Sequence, residues 1–591
     1  MNLKGELETR ISEALVAAGA PHGSGALIAR SNKPEFGHYQ ANGCMAAAKA
    51  LKTNPRELAQ KVVDNLDLSD IAEPLDIAGP GFINIRISAE WLAQRLTEVE
   101  SDPKLGVAPP DKPQTVVVDY SAPNLAKEMH VGHLRSTIIG DAMVRVLDFI
   151  GHKVIRQNHV GDWGTQFGML VQFLKDGGTQ YSEHEIDGMK FQGIDRAAIS
   201  DLQIFYRQAR AKFDADPEFA DRARSRVVLL QSGDKETWLI WKSFVDESLE
   251  HCEGVYRSLG VLLRRTDVHG ESEFNDDLPN VIEDLRSGGW LEESQGAQCV
   301  FLDEFRGKGE DDADVPLIVQ KSDGGYLYAT TDLAGIRYRQ SQLAADRVLY
   351  VTDSRQGMHF AQVFGVARMA GFAGAEMMLE HVPFGMMLGE DHRPFKAREG
   401  DTIRLTDLLT EAQQRAFDLV SEKTPDFDED RRREIASIVG IGSVKYADLS
   451  QNRSSDYVFS WDKMLSLVGN TAPYMQYAYA RVKSIFRKAD MDESQAVGEI
   501  VLTEPAETNL AVKLVQLPET VQAVADECLP NLLCSYLFDL GGAFMTFYEA
   551  CPVLKADDPT ARTSRLMLCL LTARTIKTGL GMLGIDTLEQ M

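Results

Sequence analysis

The amino-acid sequence predicts an α/β fold: a doubly wound parallel sheet of the Rossmann type, preceded by a small α+β domain and followed by an all-helical bundle. Three observations predict it. A strand, a loop, a helix and a second strand follow one another at residues 115–156, as in a βαβ unit. Residues 1–110 mix helical patterns with a short strand, and from about residue 405 only helical patterns remain.

The small N-terminal domain is predicted at residues 1–110. Helical patterns cover 2–19 and 41–66, and a short strand at 82–87 follows a turn rich in glycine and proline. Three prolines then fall within residues 107–113. Because proline lacks a backbone donor and favours extended chain, we expect a linker to the next domain there.

The central domain is predicted at residues 111–404. Its first strand, 115–120, is a run of β-prone residues such as a buried parallel strand carries. A helix over 134–150 ends at a glycine, and the strand 153–156 completes the βαβ unit. Polar helical patterns between about 175 and 260 predict an insertion or a lid. Later strand patterns lie at 298–302, 317–319 and 347–351.

Two helical regions are predicted beyond the sheet, a connector at 405–455 and a bundle at 456–591. The amphipathic pattern of the last helix predicts which of its side chains are buried. The predicted core positions are Leu566, Leu570, Ile576, Leu580 and Leu583. The predicted surface positions are Arg565, Arg574 and Lys577.

The composition restricts the class of protein. Hydrophobic residues make up 44% of the chain and charged residues 25%, which is ordinary globular usage. No apolar run reaches the ~18 residues of a membrane-spanning helix, and the N-terminus lacks the pattern of a secretory signal. The seven cysteines form no Cys-x-x-Cys pair. We therefore expect a soluble cytoplasmic protein with no membrane contact, reduced thiols and no protein metal site.

The loop between the first strand and the first helix of the sheet has the composition of a phosphate site. A helix N-terminus offers free N–H groups and a positive dipole at this edge. His130 and His133 are three residues apart and can donate hydrogen bonds to phosphate oxygens. Gly132 lets a nucleotide approach the backbone, and Lys127 adds a cation. A His-x-x-His motif also occurs by chance, so the interpretation depends on the strand before it and the helix after it.

The same residues resemble a known family. The motif His130-Val-Gly-His133 resembles the HIGH motif of class I aminoacyl-tRNA synthetases. The runs 121–140 and 158–168 resemble arginyl-tRNA synthetases specifically, as do 79–84 and three short runs between 446 and 472. The resemblance covers the whole chain, and its motifs are too long for chance.

The resemblance implies ATP-dependent ligation of L-arginine to tRNA(Arg) through an arginyl-adenylate. It implies ATP with Mg²⁺, no tightly bound protein metal, and tRNA bound before the amino acid is activated; we expect a monomer. Two alternatives stay open: a non-catalytic tRNA-binding relative of the synthetases, and a class I synthetase for another amino acid. The intact loop histidines oppose the first, and the pairing of Asp332 with Tyr328 opposes the second.

A site that selects arginine must recognise a guanidinium, a planar cation with five donors, and needs carboxylates in fork geometry. Asp119 ends the first strand, and Tyr328 and Asp332 share one face if their stretch is helical. Many members of the family have serine in place of Ala122, so only backbone contacts carry over there. The resemblance assigns arginine binding to the positions of Ala122, Pro123, Asn124, His133, Tyr328, Asp332 and Gln356, with Asp119 and Glu271 as further candidates.

The phosphate-binding residues include a departure from the family pattern. Class I enzymes usually carry a second phosphate loop, Lys-Met-Ser-Lys-Ser, but the matching stretch here, 393–400, has no serine. We expect Lys127, Lys396 and Arg398 to share the pyrophosphate charge. The resemblance assigns catalysis to His130, His133, Lys127 and Lys396, and ATP binding to His130, Gly132, His133, Lys396 and Arg398.

The net charge of −26 opposes non-specific binding to nucleic acid, because phosphates repel an acidic surface. It does not exclude a local basic surface for a folded RNA. In the helical bundle, Tyr548 and the terminal Met591 match places where the family approaches the anticodon, and a tyrosine suits stacking on unpaired bases.

Overall fold

The computed structural model describes residues 2–31, 33–177, 181–186, 189–194, 202–309, 313–395 and 403–591. At the N-terminus an antiparallel sheet of order β1–β2–β4–β3 packs with four helices. Their bounds are α1 (Leu3–Ala17), β1 (Ile28–Arg30), β2 (Tyr39–Ala41), α2 (Gly43–Leu51), α3 (Pro55–Asp64), β3 (Asp76–Ala78), β4 (Phe82–Ile85) and α4 (Ala89–Glu100).

The helical pattern at 41–66 folds as two helices rather than one. Lys52 adopts a left-handed backbone with φ of 53°, which ends α2. Asn54 then caps α3 by accepting a hydrogen bond from Arg56 N, and Pro55 occupies the first helical position. Local capping therefore overrides the continuous apolar pattern.

The middle of the chain carries the central sheet and an insertion between its second and third strands. Its elements are β5 (Thr115–Asp119), α5 (Val131–Ile150), β6 (Lys153–Gln157), α6 (Thr165–Lys175), β7 (Tyr181–Ile186), β8 (Met189–Ile194), α7 (Leu202–Ala215), α8 (Pro217–Gln231), α9 (Lys235–Leu259), α10 (Leu278–Ser287), β9 (Leu291–Ser294), β10 (Ala297–Val300), β11 (Leu317–Gln320), α11 (Tyr328–Ser341), β12 (Arg347–Asp353), α12 (Gly357–Met369), β13 (Met378–Phe384) and β14 (Met387–Leu388).

The central sheet is parallel, with the order β13–β12–β5–β6, and it is covered on both faces. Val116 and Val118 pack in the hydrophobic cluster that contains α5, whereas Val117 packs in the cluster that contains α11 and α12. This is the doubly wound architecture that the sequence predicts. The predicted strands at 298–302 and 317–319 belong to a separate antiparallel sheet of order β11–β10–β9.

Helix α5 lies unusually close to the end of β5. A Cβ atom on Gly140 would lie only 2.2 Å from Tyr120 Cβ, so the close approach requires glycine there. The helix starts at Val131, three residues before the predicted start, because His130 acts as its N-cap. The N-terminus of α5 is thereby fixed at the carboxyl edge of the sheet.

The region from residue 405 to residue 591 is helical apart from one short strand, which pairs with β14. Its elements are α13 (Leu405–Lys423), α14 (Glu429–Leu449), β15 (Tyr457–Val458), α15 (Trp461–Met464), α16 (Ala472–Ala489), α17 (Pro505–Val515), α18 (Leu517–Glu527), α19 (Pro530–Ala550) and α20 (Pro559–Met582).

The last helix buries its predicted core leucines and isoleucine. Lys577 is exposed as predicted, but two predicted surface arginines are not. Arg565 is only 11% exposed and binds Glu507 at 2.7 Å, and Arg574 donates hydrogen bonds to the carbonyls of Glu100 and Asp102. That prediction was wrong because the acceptors lie on other elements of the chain.

The N-terminal domain packs against the bundle through a buried carboxylate on α18. Glu519 accepts hydrogen bonds from Tyr39 Oη at 2.9 Å and from Arg30 Nε at 2.5 Å. Within the described residues, no helix is long and apolar enough to cross a membrane.

Candidate active site

A cavity of about 920 Å³ opens at the carboxyl ends of β5 and β12. This is the edge at which open parallel sheets bind ligands. The two histidines of the first loop and the predicted carboxylates lie in the walls of this one cavity. Ten of the predicted site residues line it: Asp119, Ala122, Asn124, His130, Gly132, His133, Glu271, Tyr328, Asp332 and Gln356.

The two histidines form the cap of α5. Gly132 N–H donates a hydrogen bond to His130 Nδ1 at 3.1 Å, and His130 N–H donates to His133 Nδ1 at 3.1 Å. Since each Nδ1 accepts, each ring carries its proton on Nε2. The ring centroids are 4.0 Å apart. The cap therefore orients both imidazoles and fixes the tautomer in which Nε2–H is the free donor.

Both imidazoles are neutral near pH 7. Burial lowers the pKa of His133 to about 3, with a further contribution from His130. Burial and the charge of Lys127 lower the pKa of His130 as well. Neutral donors at a helix N-terminus suit phosphate oxygens, since they add hydrogen bonds to the dipole field without changing protonation.

The opposite wall carries a carboxylate and a phenol on one helix. Tyr328 begins α11, and Asp332 follows one turn later, so the conditional prediction of a shared helical face is confirmed. Asp332 Oδ2 lies 2.6 Å from His359 Nε2 of α12. Tyr328 is 68% exposed, which leaves its hydroxyl accessible to a ligand.

Glu271 adds a second carboxylate to this wall. It begins a short 3₁₀ turn, Glu271–Phe274, and in the described part of the chain no hydrogen bond or ion pair reaches its carboxylate. Burial, together with the charges of Asp162 and Asp332, raises the pKa of Glu271 to about 8. The wall therefore has an uncompensated acidic group that a bound cation would ionise.

Asp119, in contrast, already has a cationic partner. Arg339 Nη2 donates to Asp119 Oδ2 at 2.6 Å, and His159 N–H donates to Asp119 Oδ1 at 3.2 Å. Arg339 is buried and also donates to Gln157 Oε1 at 2.6 Å. The negative charge of Asp119 is therefore balanced within the protein.

The loop after β5 is held in a left-handed conformation. Ser121 and Ala122 have φ values of 71° and 44°, a region that costs non-glycine residues energy. Ala122 N–H donates to the buried Asn158 Oδ1 at 2.9 Å, so its carbonyl is the backbone group left for a ligand. Gly161 N–H donates to the carbonyl of Pro123, and the Asn124 amide lies so close to Gly161 that a Cβ there would clash.

Several predicted residues lie outside the cavity wall. Pro123 is buried beside it, and Lys127 points to the insertion, where its Nζ lies 4.7 Å from the centre of the Tyr206 ring. Lys396 and Arg398 fall outside the described residues. Their roles stay predictions.

The two residues predicted for tRNA lie in the helical part of the chain. Tyr548 is half-buried on α19, with Arg481 of α16 stacked 5.0 Å from its ring centre and Phe544 at 6.0 Å. Met591 packs against the small cluster between α13 and α14. The structure shows an aromatic–guanidinium pair at Tyr548, which pattern analysis did not indicate.

Sequence reasoning missed other residues of the cavity. His359 and His159 line it, as does Arg135, which forms an ion pair with the fully buried Asp448 at 3.0 Å. No spacing in the sequence signals His359, because its partner Asp332 is 27 residues away on another helix. Arg135 follows the loop histidines closely, and that position is the signal that could have found it.

One cavity therefore contains hydrogen-bond donors that can bind phosphate oxygens and carboxylates that can bind a cation. The cap of α5 can hold a polyphosphate, and the wall of Asp332 and Glu271 can hold a planar cation. In the described residues, no group of three or more His, Cys, Asp or Glu side chains is arranged to hold a metal ion.

Comparison with known families finds three matching models along the chain. The arginyl tRNA synthetase N terminal domain matches residues 5–87. The catalytic domain of tRNA synthetases class I (R) matches residues 96–461, and the DALR anticodon binding domain matches residues 475–591.

Curated relatives and solved structures agree with these matches. The arginine–tRNA ligase of Hahella chejuensis is 59% identical and that of Marinomonas sp. 55% identical, each over the full length of both chains. The arginyl-tRNA synthetase of Plasmodium falciparum superimposes with a TM-score of 0.84 at 29% identity, covering 100% of this chain and 99% of that one. The arginyl-tRNA synthetase of Thermus thermophilus superimposes with a TM-score of 0.81 at 25% identity, covering 100% of both.

Proposed function

This chain belongs to the arginyl-tRNA synthetase family, and from that premise we infer that it ligates L-arginine to tRNA(Arg) at the expense of ATP. The family match covers the catalytic and the anticodon-binding parts of the chain. One observation of the site carries the proposal. Glu271, which has no hydrogen bond or ion pair to its carboxylate among the described residues, and Asp332 share a cavity with the two cap histidines. A guanidinium and a triphosphate can therefore bind side by side.

The reaction has two steps. A carboxylate oxygen of arginine attacks the α-phosphorus of ATP, forming the arginyl-adenylate while the bond to the β-phosphate oxygen breaks and pyrophosphate leaves. A ribose hydroxyl of the terminal tRNA nucleotide then attacks the adenylate carbonyl, and AMP leaves. No side-chain nucleophile takes part, so the work of the protein is positioning and electrostatic stabilisation.

The Nε2–H groups of His130 and His133 bind the phosphates of ATP. They donate hydrogen bonds to phosphate oxygens that gain negative charge in the transition state. Gly132 leaves the backbone open to the nucleotide. Lys127, Lys396 and Arg398 supply cations for the pyrophosphate. Mg²⁺ enters with ATP, since Mg²⁺ is commonly held by substrate phosphates and water with few protein ligands.

For arginine, the proposal assigns Asp332 and Glu271 to the guanidinium, with Tyr328, Asn124 and Gln356 as further polar contacts. These five side chains all line the cavity. The carbonyl of Ala122 is a further hydrogen-bond acceptor for arginine. His133 lies between the arginine site and the phosphate site, and Pro123 restricts the conformation of the loop after β5. Asp119 enters the proposal in an indirect role, because Arg339 already balances its charge.

Tyr548 and Met591 are proposed to contact tRNA in the DALR region, with the anticodon as the target. The proposed active form is a monomer. Since charged tRNA is consumed by ribosomes, the proposed location is the cytoplasm.

Arginine-dependent exchange of labelled pyrophosphate into ATP tests the function, measured with and without tRNA(Arg). We expect exchange with arginine and tRNA together. Exchange with another standard amino acid, or tRNA binding with no exchange at all, would contradict the proposal.

A further inference from the structure

Asp332 shares its carboxylate with a histidine to which the proposed function assigns no role. His359 Nε2 lies 2.6 Å from Asp332 Oδ2, and both side chains are partly buried, at 32% and 16% exposure. In the described residues, the second carboxylate oxygen of Asp332 has no hydrogen-bond partner. One oxygen is therefore engaged by the imidazole, and the other is left for a ligand.

The hydrogen bond joins two helices that are fixed by their buried faces. Asp332 precedes the fully buried Leu333 on α11, and His359 precedes the buried Phe360 on α12. The His359 ring meets Phe360 edge-on with centroids 5.4 Å apart, and Phe360 stacks on His381 at 5.0 Å. Neither partner can move far without disturbing the packed layer beneath it.

Asp332 needs such a partner when arginine is bound, because the guanidinium ionises Glu271 and the two carboxylates then carry like charges. Asp332 and Glu271 face the same cavity, and the negative charge of Asp332 helps to raise the pKa of Glu271. A short aspartate side chain can rotate away from a like charge when nothing holds it. The Nε2–H of His359 holds one carboxylate oxygen of Asp332 in place and leaves the other oxygen for the guanidinium.

We propose that His359 is a positioning residue of the arginine site, which holds the Asp332 carboxylate toward the bound guanidinium through its Nε2–H. This inference rests on the proposed function and adds to it a residue that does not itself need to touch the substrate. Its effect is specific to arginine, because His359 contacts the carboxylate and not the phosphate side of the cavity.

Two near-isosteric substitutions separate hydrogen bonding from packing. In His359→Gln the amide nitrogen can reach the place of Nε2, whereas in His359→Asn it falls short. We expect His359→Asn to raise KM for arginine by about 10- to 100-fold, with kcat and KM for ATP changed by less than about threefold. We expect His359→Gln to stay within about fivefold of the wild type. His251→Asn, on the exposed face of α9, is the matched control and should match the wild type.

A second measurement tests whether the effect passes through Asp332. In an Asp332→Asn background, His359→Asn should add less than about a twofold further rise in KM, because the partner is gone. Three results would overturn the role: an unchanged KM for arginine in His359→Asn, equal rises for arginine and ATP, or no rescue by His359→Gln. A wild-type protein without arginine-dependent exchange would instead refute the proposed function.

Discussion

Asp119 Oδ2, in the wall of the cavity, and Arg339 Nη2 are 2.6 Å apart, and both side chains are more than 90% buried. The pair joins the end of β5 to α11, the helix that carries Asp332. A buried ion pair contributes little net stability while intact, but loss of one partner leaves an uncompensated charge in the interior. The pair therefore ties the first strand of the sheet to the substrate wall.

Removing the cation of this pair should destabilise the protein. We expect Arg339→Met to lower the free energy of unfolding by about 3–5 kcal/mol, because the Asp119 carboxylate would remain buried without a compensating cation. Urea unfolding followed by circular dichroism measures the change. The double variant Arg339→Met/Asp119→Leu should recover much of the loss. If Asp119 binds arginine directly instead, Asp119→Asn should raise KM for arginine at nearly wild-type stability.

Arginine binding should release a proton from Glu271. With a pKa of about 8, this carboxyl is mostly protonated at pH 7 in the free protein, and a bound guanidinium ionises it. We expect release of close to one proton per arginine at pH 7 and much less at pH 9. Isothermal titration calorimetry in buffers of different ionisation enthalpy counts the protons. Glu271→Gln should abolish the release and weaken binding; an unchanged release would assign the proton to another group.

The carboxyl of Glu271 should also make the folding stability of the protein depend on pH. Its pKa is raised in the folded state above the ordinary value of 4.5, so between about pH 4.5 and 8 the folded state binds more protons than the unfolded state. Its contribution to stability therefore falls as pH rises through this window. We expect Glu271→Gln to raise the thermal midpoint at pH 8 by more than at pH 5. Equal changes at the two pH values would contradict this.

His133 should accelerate adenylation through the hydrogen bond that its Nε2–H donates and not through a positive charge on its ring. We expect His133→Asn, which can keep the cap acceptor and lacks the distal donor, to lower the adenylation rate by a factor on the order of 10². His133→Gln should retain more of the rate, and His251→Asn all of it. Because the pKa of His133 is about 3, its titration should not shape the rate between pH 6 and 9. Single-turnover measurements across that range check both statements.

The local features of the site could be read from the sequence because they depend on neighbouring residues. The β-prone run at 115–120, the helix after it and the two histidines between them are all short-range signals, and the structure places the histidines in the cap of α5. The spacing of Tyr328 and Asp332 is likewise local. These patterns follow from backbone geometry, which repeats along the chain.

The long-range partners could not be predicted in the same way. Asp119 and Arg339 are 220 residues apart, and the insertion side chain Tyr206 that contacts Lys127 lies on α7. Glu271 has no partner for its carboxylate in the described part of the chain, whereas Asp119 is already paired. That difference depends on which elements the fold brings together. A sequence pattern carries no signal for that difference, although it decides which group can bind a cation.

Tyr548 should support tRNA binding through its ring and not through the chemistry of activation. The ring is half-buried, with Arg481 stacked on one side, so a tRNA base or phosphate that approaches this pair meets a π face and a cation. We expect Tyr548→Ala to raise KM for tRNA(Arg) by roughly tenfold, in line with about 1–3 kcal/mol per stacked base. Pyrophosphate exchange at saturating tRNA should stay unchanged, and Tyr548→Phe should behave as the wild type because it keeps the ring. If the ring only fills the bundle, Tyr548→Ala should lower the thermal midpoint and leave KM for tRNA unaltered.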